Sequence, residues 1–168
     1  YIRNGTSLYP LFHGGNQEFG IRSGTENVAG IVAFARALRI IKEKEQNQLE
    51  SLKHLNAYLR EKLQKIERIV INSPKEAAPH IFNFSLPGMK PEVLIHTLSE
   101  ANIYVSTKSA CSSKPQDASA VLIACGYDQA RASSGIRVSL SYEHTLEEIK
   151  QFVKLLKVSI QNLTKVMS

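Results

Sequence analysis

The feature that most constrains the fold is an apolar pattern with helical spacing that runs from Glu26 to Ile66. Apolar side chains three and four positions apart lie on one face of a helix. Between Lys42 and Gln48 the pattern is polar on every face. We therefore expect one very long helix, bent or broken at this polar stretch, with its stripe buried mainly in a core rather than in a coiled coil. The stripe consists of Val28, Ile31, Val32, Ala35, Leu38, Ile41, Leu49, Leu52, Leu55, Leu59, Leu63 and Ile66.

Shorter elements follow the long helix. Strands are predicted at 68–72, 80–86, 103–106 and 135–140, where β-branched and aromatic residues alternate or form short runs. Helices are predicted over 91–101, over 117–125 with Asp117 as cap, and after the capping box Thr145–Glu148. The order β-β-α-β-α-β-α predicts a small α+β unit, a mostly antiparallel sheet with helices on one face. The chain is thereby divided into 1–25, the long helix 26–66, and 67–168.

Composition excludes several classes of function. The net charge is +6, but the basic residues alternate with Glu, as on solvated helix faces, and there is no Trp, so we expect no direct nucleic-acid ligand. The two cysteines form no C-x-x-C pair, which argues against a disulfide scaffold or a zinc cluster and favours a reducing, cytoplasmic location. The histidines lack ligand spacing, so we expect no metal. No apolar run approaches the length of a membrane span.

Cys111 is the candidate nucleophile. It lies in Ser106–Ser113, among small hydroxyl side chains and close to Lys108 and Lys114. Small neighbours leave a thiol accessible, and nearby ammonium groups favour the reactive thiolate. An exposed cysteine without a reactive role is the alternative. A tyrosine-phosphatase-like site is excluded because position 117 is Asp rather than Arg, and no histidine has the setting of a papain-like partner. Cys125 follows an apolar helix and is interpreted as a core residue.

Two further segments carry candidate binding groups. The glycine-rich loop His13–Thr25 offers hydroxyl and guanidinium donors, and Thr25 lies where the long helix begins, a position suited to phosphate. A purely structural glycine-rich connection explains the loop equally well. Arg137 lies between apolar residues in the predicted strand 135–140. Such a guanidinium either reaches solvent or binds an anion, for which a carboxylate is best shaped, or it forms an internal salt bridge.

These motifs, in this order, resemble the C-terminal portion of the cysteine desulfurases, the NifS/IscS-like, pyridoxal-phosphate-dependent enzymes of fold type I. The family pattern H-G-G-x-Q-E-x-G-x-R-x-G-T-x-N corresponds to His13–Asn27, and S-A-C-[ST]-S corresponds to Ser109–Ser113. The patterns I-R-x-S-L and T-x-E-E correspond to Ile136–Leu140 and Thr145–Glu148, with Gly126 ending the helix between. The resemblance extends over essentially residues 1–160, and the joint occurrence is far more specific than any one motif.

The resemblance implies a role for each candidate residue. Cys111 takes sulfur from L-cysteine as a persulfide and leaves L-alanine, while Arg137 holds the substrate carboxylate. Thr25 contacts the phosphate of pyridoxal 5'-phosphate from the partner subunit of a homodimer. The loop residues that cross this interface are His13, Gly14, Gly15, Gln17 and Arg22. The sulfur then passes to an iron–sulfur scaffold or to a tRNA-thiolating enzyme.

The resemblance also implies an architecture and two alternatives. Residues 1–25 end the large aminotransferase-like domain, the long helix connects, and the small α+β domain carries Cys111. Lys108 and Ser141 depart from residues usual in the family. The alternatives are a selenocysteine-lyase-like parent enzyme and a non-catalytic domain that binds sulfur-acceptor or scaffold proteins.

The first prediction concerns activity. The family's cofactor lysine lies in an S-x-H-K segment, which does not occur in these 168 residues. We therefore expect no covalently bound cofactor and no desulfurase activity from the chain by itself, as a fragment. Incubation with pyridoxal phosphate and L-cysteine is expected to yield no alanine above the protein-free reaction. Stoichiometric alanine turnover would contradict this prediction.

Overall fold

A computed structural model describes residues 2–107 and 118–167, apart from the side chains of the last two. The chain divides into two units, residues 1–44 and residues 45–168. The division falls within one helix, α1, which spans Val28–Leu63. Each unit is described by itself.

In residues 1–44, a single 3₁₀ turn, Gln17–Gly20, precedes the first half of α1. The apolar stripe of this half is solvent-exposed, which corrects the expectation of a stripe buried along its whole length. The side chains of Val28, Ile31, Val32, Leu38 and Ile41 are all more than half exposed. The described residues of this unit form no other helix or strand that could cover them.

The break that was one expectation at Lys42–Gln48 is wrong, because α1 continues as helix through this stretch. Its residues are Lys, Glu, Gln and Asn, and all but Asn are good helix formers. The stretch contains neither Gly nor Pro, the residues that usually interrupt a helix. The stretch is polar on every face, but the helix does not end there.

In residues 45–168, the rest of α1 packs on a three-stranded antiparallel sheet of order β1-β2-β3. The strands are β1 Val70–Ile71, β2 Ile81–Ser85 and β3 Gly135–Ser139. Leu59 and Leu63 of α1 and Phe82 and Phe84 of β2 are fully buried in one core. The helices that follow are α2 Pro91–Ser99, α3 Ala120–Ala124, α4 Gln129–Ser133 and α5 Leu146–Met167. The predicted α+β class with an antiparallel sheet is confirmed.

The strand predicted at 103–106 is wrong except for one residue. Ser106 alone forms a bridge, to Arg137 of β3. The reason lies in the preceding turn, where Asn102 adopts a left-handed conformation (φ 58°) and the Ile103 N–H donates to the Leu98 carbonyl of α2 at 3.0 Å. Because this donor serves the end of the helix, pairing with β3 begins only at Ser106.

The region after residue 117 also differs from prediction. Helix α3 is capped by Ser119, whose Oγ accepts the Leu122 N–H, whereas Asp117 lies outside the described residues. Helix α4 was not predicted at all; it begins at the cap Asp128. Cys125 is exposed rather than buried, because it follows the last turn of α3, where the chain reverses at Gly126 (φ 85°).

The two halves of α1 supply a matched pair of variants. Leu59→Ala removes a fully buried side chain and is expected to lower the free energy of unfolding of residues 45–168 by about 2–5 kcal/mol. Leu38→Ala makes the same change in the same helix at a side chain 53 % exposed, and is expected to change it by about 0.5 kcal/mol or less. Urea unfolding measures both. Equal losses in the two variants would contradict the exposure of the first half.

Candidate functional site

In residues 45–168, the candidate site is the edge of β3 at Arg137. Side chains of a strand alternate between its faces, and Ile136 and Val138 are buried whereas Arg137 is exposed. Its backbone pairs with Ser106: the Arg137 N–H donates to the Ser106 carbonyl at 2.6 Å and the Ser106 N–H donates back at 3.1 Å. Within residues 2–107 and 118–167, no carboxylate forms an ion pair with its guanidinium.

Cys111 lies outside the described residues, as do Lys108 and Asp117. The described chain on either side of residues 108–117 is anchored to neighbouring positions. Upstream, Ser106 is bonded to Arg137; downstream, the Ser119 N–H donates to the Ala132 carbonyl at 3.0 Å. Both anchors lie on the short stretch 132–137, which ends α4 and begins β3. The reactivity of the thiol stays a prediction.

A groove of about 660 Å³ adjoins this edge. The segment 101–105 lines one side, and residues 138–140 with the start of α5 line the other. The turn between β3 and α5 is built on Ser141, whose N–H donates to His144 Nδ1 at 2.9 Å and whose Oγ accepts the Glu143 N–H at 3.2 Å. Ser141, which departs from the usual family residue, therefore fixes the turn into α5.

The predicted capping box at the start of α5 is confirmed. Glu148 Oε2 accepts hydrogen bonds from the Thr145 N–H at 2.6 Å and from the Thr145 hydroxyl at 2.8 Å. The Glu148 N–H in turn donates to Thr145 Oγ1 at 3.3 Å. The two bonds from Thr145 lower the pKa of Glu148 below its ordinary value of 4.5, because they favour the charged carboxylate.

A separate candidate site is the loop of residues 13–25 in the unit 1–44. It surrounds an open pocket of about 520 Å³ whose lining includes all five predicted interface residues: His13, Gly14, Gly15, Gln17 and Arg22. Gln17 Oε1 accepts the Gly24 N–H at 3.2 Å. Arg22 Nη1 donates to the carbonyls of Gly24 and Thr25 at 3.1 and 2.8 Å. Gln17 and Arg22 thus hold the loop together, and exposed Thr25 lies at its end.

Sequence analysis missed a polar cluster between the sheet and α4. Asn72 and Ser85 are buried, and Asn72 Nδ2 donates to Ser85 Oγ at 2.7 Å and to Asn83 Oδ1 at 2.6 Å. The Ser85 hydroxyl donates to the Arg131 carbonyl at 2.7 Å. These residues are 46 positions apart in the chain, so no local sequence pattern links them.

Two other kinds of site were sought in the described part of the chain. Nowhere in residues 2–107 and 118–167 do three His, Cys, Asp or Glu side chains converge to hold a metal ion. None of the helices described is both long enough and apolar enough to cross a membrane.

Comparison with known proteins identifies the family. Residues 10–152 match the family Aminotransferase class-V, and the chain belongs to that family. Its relatives there carry the names of NifS and IscS proteins, which confirms the resemblance noted from the motifs. It is 40 % identical to a "NifS/IcsS protein homolog" of Lactobacillus delbrueckii subsp. bulgaricus, over 99 % of this chain and 44 % of the relative. It is 36 % identical to the cysteine desulfurase IscS of Clostridium botulinum, over 93 % of this chain and 40 % of the relative.

Solved structures show the same relationship. A NifS-like protein superposes with a TM-score of 0.80 and 36 % identity, covering 96 % of this chain and 41 % of that one. The NifS-like protein of Rickettsia africae superposes with a TM-score of 0.78 and 28 % identity, over 93 % of this chain and 41 % of that one. The chain thus spans about two fifths of the length of the relatives it matches.

The family is pyridoxal-phosphate-dependent, and the described residues around the 13–25 loop do not by themselves fit the cofactor. The pocket of the 13–25 loop has no lysine in its lining that could form a Schiff base. Arg22, the cation of that lining, directs Nη1 to two backbone carbonyls. The loop offers a polar rim at Thr25 but not a complete cofactor site.

The capping box generates a prediction of pH dependence. Because the pKa of Glu148 is lowered in the folded state, its stabilising effect is present above the unfolded value and is lost as pH falls through the folded value. Glu148→Gln keeps an acceptor oxygen but removes the charge. The variant is expected to unfold at lower urea than the wild type at pH 7, and the two midpoints should converge as pH approaches 3. A difference independent of pH would contradict this assignment.

Proposed function

We propose that the chain carries the sulfur-accepting and carboxylate-binding part of a cysteine desulfurase. The observation that supports this most directly is the pairing of Ser106 with Arg137. It attaches the chain five residues before Cys111 to the strand that presents an exposed guanidinium. Five extended residues span at most about 18 Å. The proposed nucleophile therefore follows, within this length of chain, the residue that pairs with the proposed substrate-binding group.

The chemistry assigns one task to each group. The Arg137 guanidinium donates two parallel hydrogen bonds to the α-carboxylate of L-cysteine. The Cys111 thiolate, favoured by Lys108 and Lys114, attacks the substrate sulfur. A sulfur–sulfur bond forms and the carbon–sulfur bond breaks; its electron pair stays on the carbon, which takes up a proton to give alanine. The electron delocalisation that this requires is supplied in the family by pyridoxal phosphate, whose lysine we place in the remainder of the relatives' fold.

We assign the 13–25 loop to the cofactor side and to a homodimer interface. Thr25 is proposed to contact the cofactor phosphate, and His13, Gly14, Gly15, Gln17 and Arg22 to shape the crossing loop. Exposed apolar side chains near this loop support an interface, since large exposed apolar groups mark interaction surfaces. Tyr9, Leu11 and Phe19 are each about nine-tenths exposed or more.

The proposed partners follow from the sulfur. A persulfide on Cys111 passes to a sulfur-acceptor protein, either an iron–sulfur scaffold or a tRNA-thiolating enzyme, in the cytoplasm. The second candidate function is a non-catalytic interaction domain for such proteins. The exposed apolar stripe of α1 between Val28 and Ile41 favours this second function, because an exposed apolar surface binds a protein without catalysing a reaction.

The test is mass spectrometry of the full-length gene product after reaction with pyridoxal phosphate and L-cysteine. The peptide that contains Cys111 is expected to gain one sulfur atom, which reduction removes, and alanine should appear in parallel. Cys111→Ser is expected to abolish the gain, because the nucleophile is lost.

The matched control is Cys125→Ser, which removes the other cysteine, an exposed residue outside the proposed site. It is expected to leave sulfur loading unchanged. Sulfur found on Cys125, or loading that survives Cys111→Ser, would refute the assigned role. Acceptor binding without sulfur transfer would favour the interaction domain.

A further inference from the structure

We propose that Arg131 is a positioning residue for sulfur transfer, acting through Ser119, which lies eight residues after Cys111 in the chain. The inference rests on the proposed function for its catalytic consequence. Its structural part concerns only described residues, and it is tested separately.

The Arg131 side chain clamps α4 to the edge of β1. Its Nε donates to Asn72 Oδ1 at 2.6 Å, and its Nη2 donates to the Ile71 carbonyl at 2.6 Å. The guanidinium lies 3.8 Å from the centroid of the Tyr127 ring, within the range of a cation–π contact. Only a planar guanidinium makes two directed hydrogen bonds while stacking on a ring, so lysine does not replace it.

The backbone of Arg131 is fixed as well. Its N–H donates to the cap residue Asp128 at 2.8 Å, and its carbonyl accepts the Ser85 hydroxyl at 2.7 Å. Ser85 belongs to β2 and is fully buried. Arg131 is therefore attached to β1 through its side chain and to β2 through its main chain, which fixes α4 against two strands.

Ala132, the residue after Arg131, connects this attachment to Ser119, which lies eight residues after Cys111 in the chain. The carbonyl of buried Ala132 accepts the Ser119 N–H, the downstream anchor. The upstream anchor is Ser106 on Arg137, five residues further along the same stretch. Arg131 thus holds the chain at the start of the stretch 132–137. Arg137, at the end of this stretch, is the proposed substrate-binding residue. If α4 shifts, the downstream anchor moves while the pairing of β3 with β2 keeps Arg137 in place.

Arg60 is a matched control. Its Nη2 donates to the carbonyls of Ser73 and Pro74, both at 2.8 Å, and its guanidinium lies 5.2 Å from the Phe82 ring centroid. It therefore makes the same kinds of contact as Arg131, two carbonyl or amide acceptors and one ring. None of its contacts involves Ser119, Ala132 or Arg137. Arg60→Lys therefore tests what the loss of such an arginine does when the arginine lies elsewhere in the fold.

The experiment is site-resolved amide hydrogen exchange on the full chain, comparing the wild type with Arg131→Lys and Arg60→Lys. In Arg131→Lys, the Ser119 N–H is expected to exchange about tenfold faster or more, because local opening of α4 frees it. The Arg137 N–H should change by less than about threefold, since its acceptor, the Ser106 carbonyl, is not held by α4. Arg60→Lys should leave both amides near their wild-type rates. Unchanged exchange at Ser119, or an equal increase in Arg60→Lys, would overturn the proposal.

A second variant covers the case in which Arg131→Lys does not fold. Tyr127→Leu removes the ring beneath the guanidinium, together with the hydrogen bond from the Tyr127 hydroxyl to the Asn72 carbonyl, but leaves the acceptors of the guanidinium. It should raise exchange at Ser119 by a smaller factor. An unchanged Ser119 rate in this variant would also count against the clamp.

The catalytic consequence has its own readout in the full-length gene product. Arg131→Lys is expected to lower kcat for sulfur loading of Cys111 with little change in KM for L-cysteine, because Arg137 is retained. An increase in KM alone would refute positioning of the nucleophile. If the wild type loads no sulfur, the proposed function fails, whereas the exchange rate of Ser119 still decides the role of the clamp.

Discussion

The pairing of β2 with β3 is the interaction on which the remaining structure of residues 45–168 depends. Five residue pairs, from Ile81 opposite Ser139 to Ser85 opposite Gly135, fix the register. This register buries Ile136 and Val138 against the leucines of α1 and turns Arg137 outward. A slip of one residue would exchange the two faces of β3, burying the guanidinium and exposing the core. The position of the proposed substrate-binding group is therefore a consequence of core packing.

The same strand organises the proposed site because both described ends of the Cys111 segment attach to it or to the helix before it. Ser106 bonds to Arg137, and Ser119 bonds to Ala132. A reactive cysteine benefits from a segment anchored on a rigid element, since catalytic geometry must be held closely. The hydrogen bonds of Arg131 connect α4, which precedes this stretch, to β1 and β2.

Much of the small α+β unit could be predicted from local patterns. Three short-range signals are confirmed: the alternation in 80–86, the capping box Thr145–Glu148, and the apolar stripe in the second half of α1, from residue 45 onward. The strand at 103–106 was wrong because a hydrogen bond to α2 took the Ile103 donor. Helix α4 was missed because it is five residues long and is held by contacts distant in sequence, chiefly those of Arg131. The exposure of the first half of α1 could not be predicted either, since periodicity indicates that a helix has an apolar face but not whether another element covers that face.

The sequence by itself determined the family, through motifs whose residue types and order are specific, and it singled out Cys111, Arg137 and Thr25. These residues could be singled out because their proposed roles depend on the chemistry of their side chains, which is known from the amino-acid sequence. Only the tertiary structure decided that Arg137 is exposed, that Ser106 lies beside it, and that Arg131 joins α4 to two strands. These relations connect residues 31 to 60 positions apart, and sheet register and core packing alone bring such residues together.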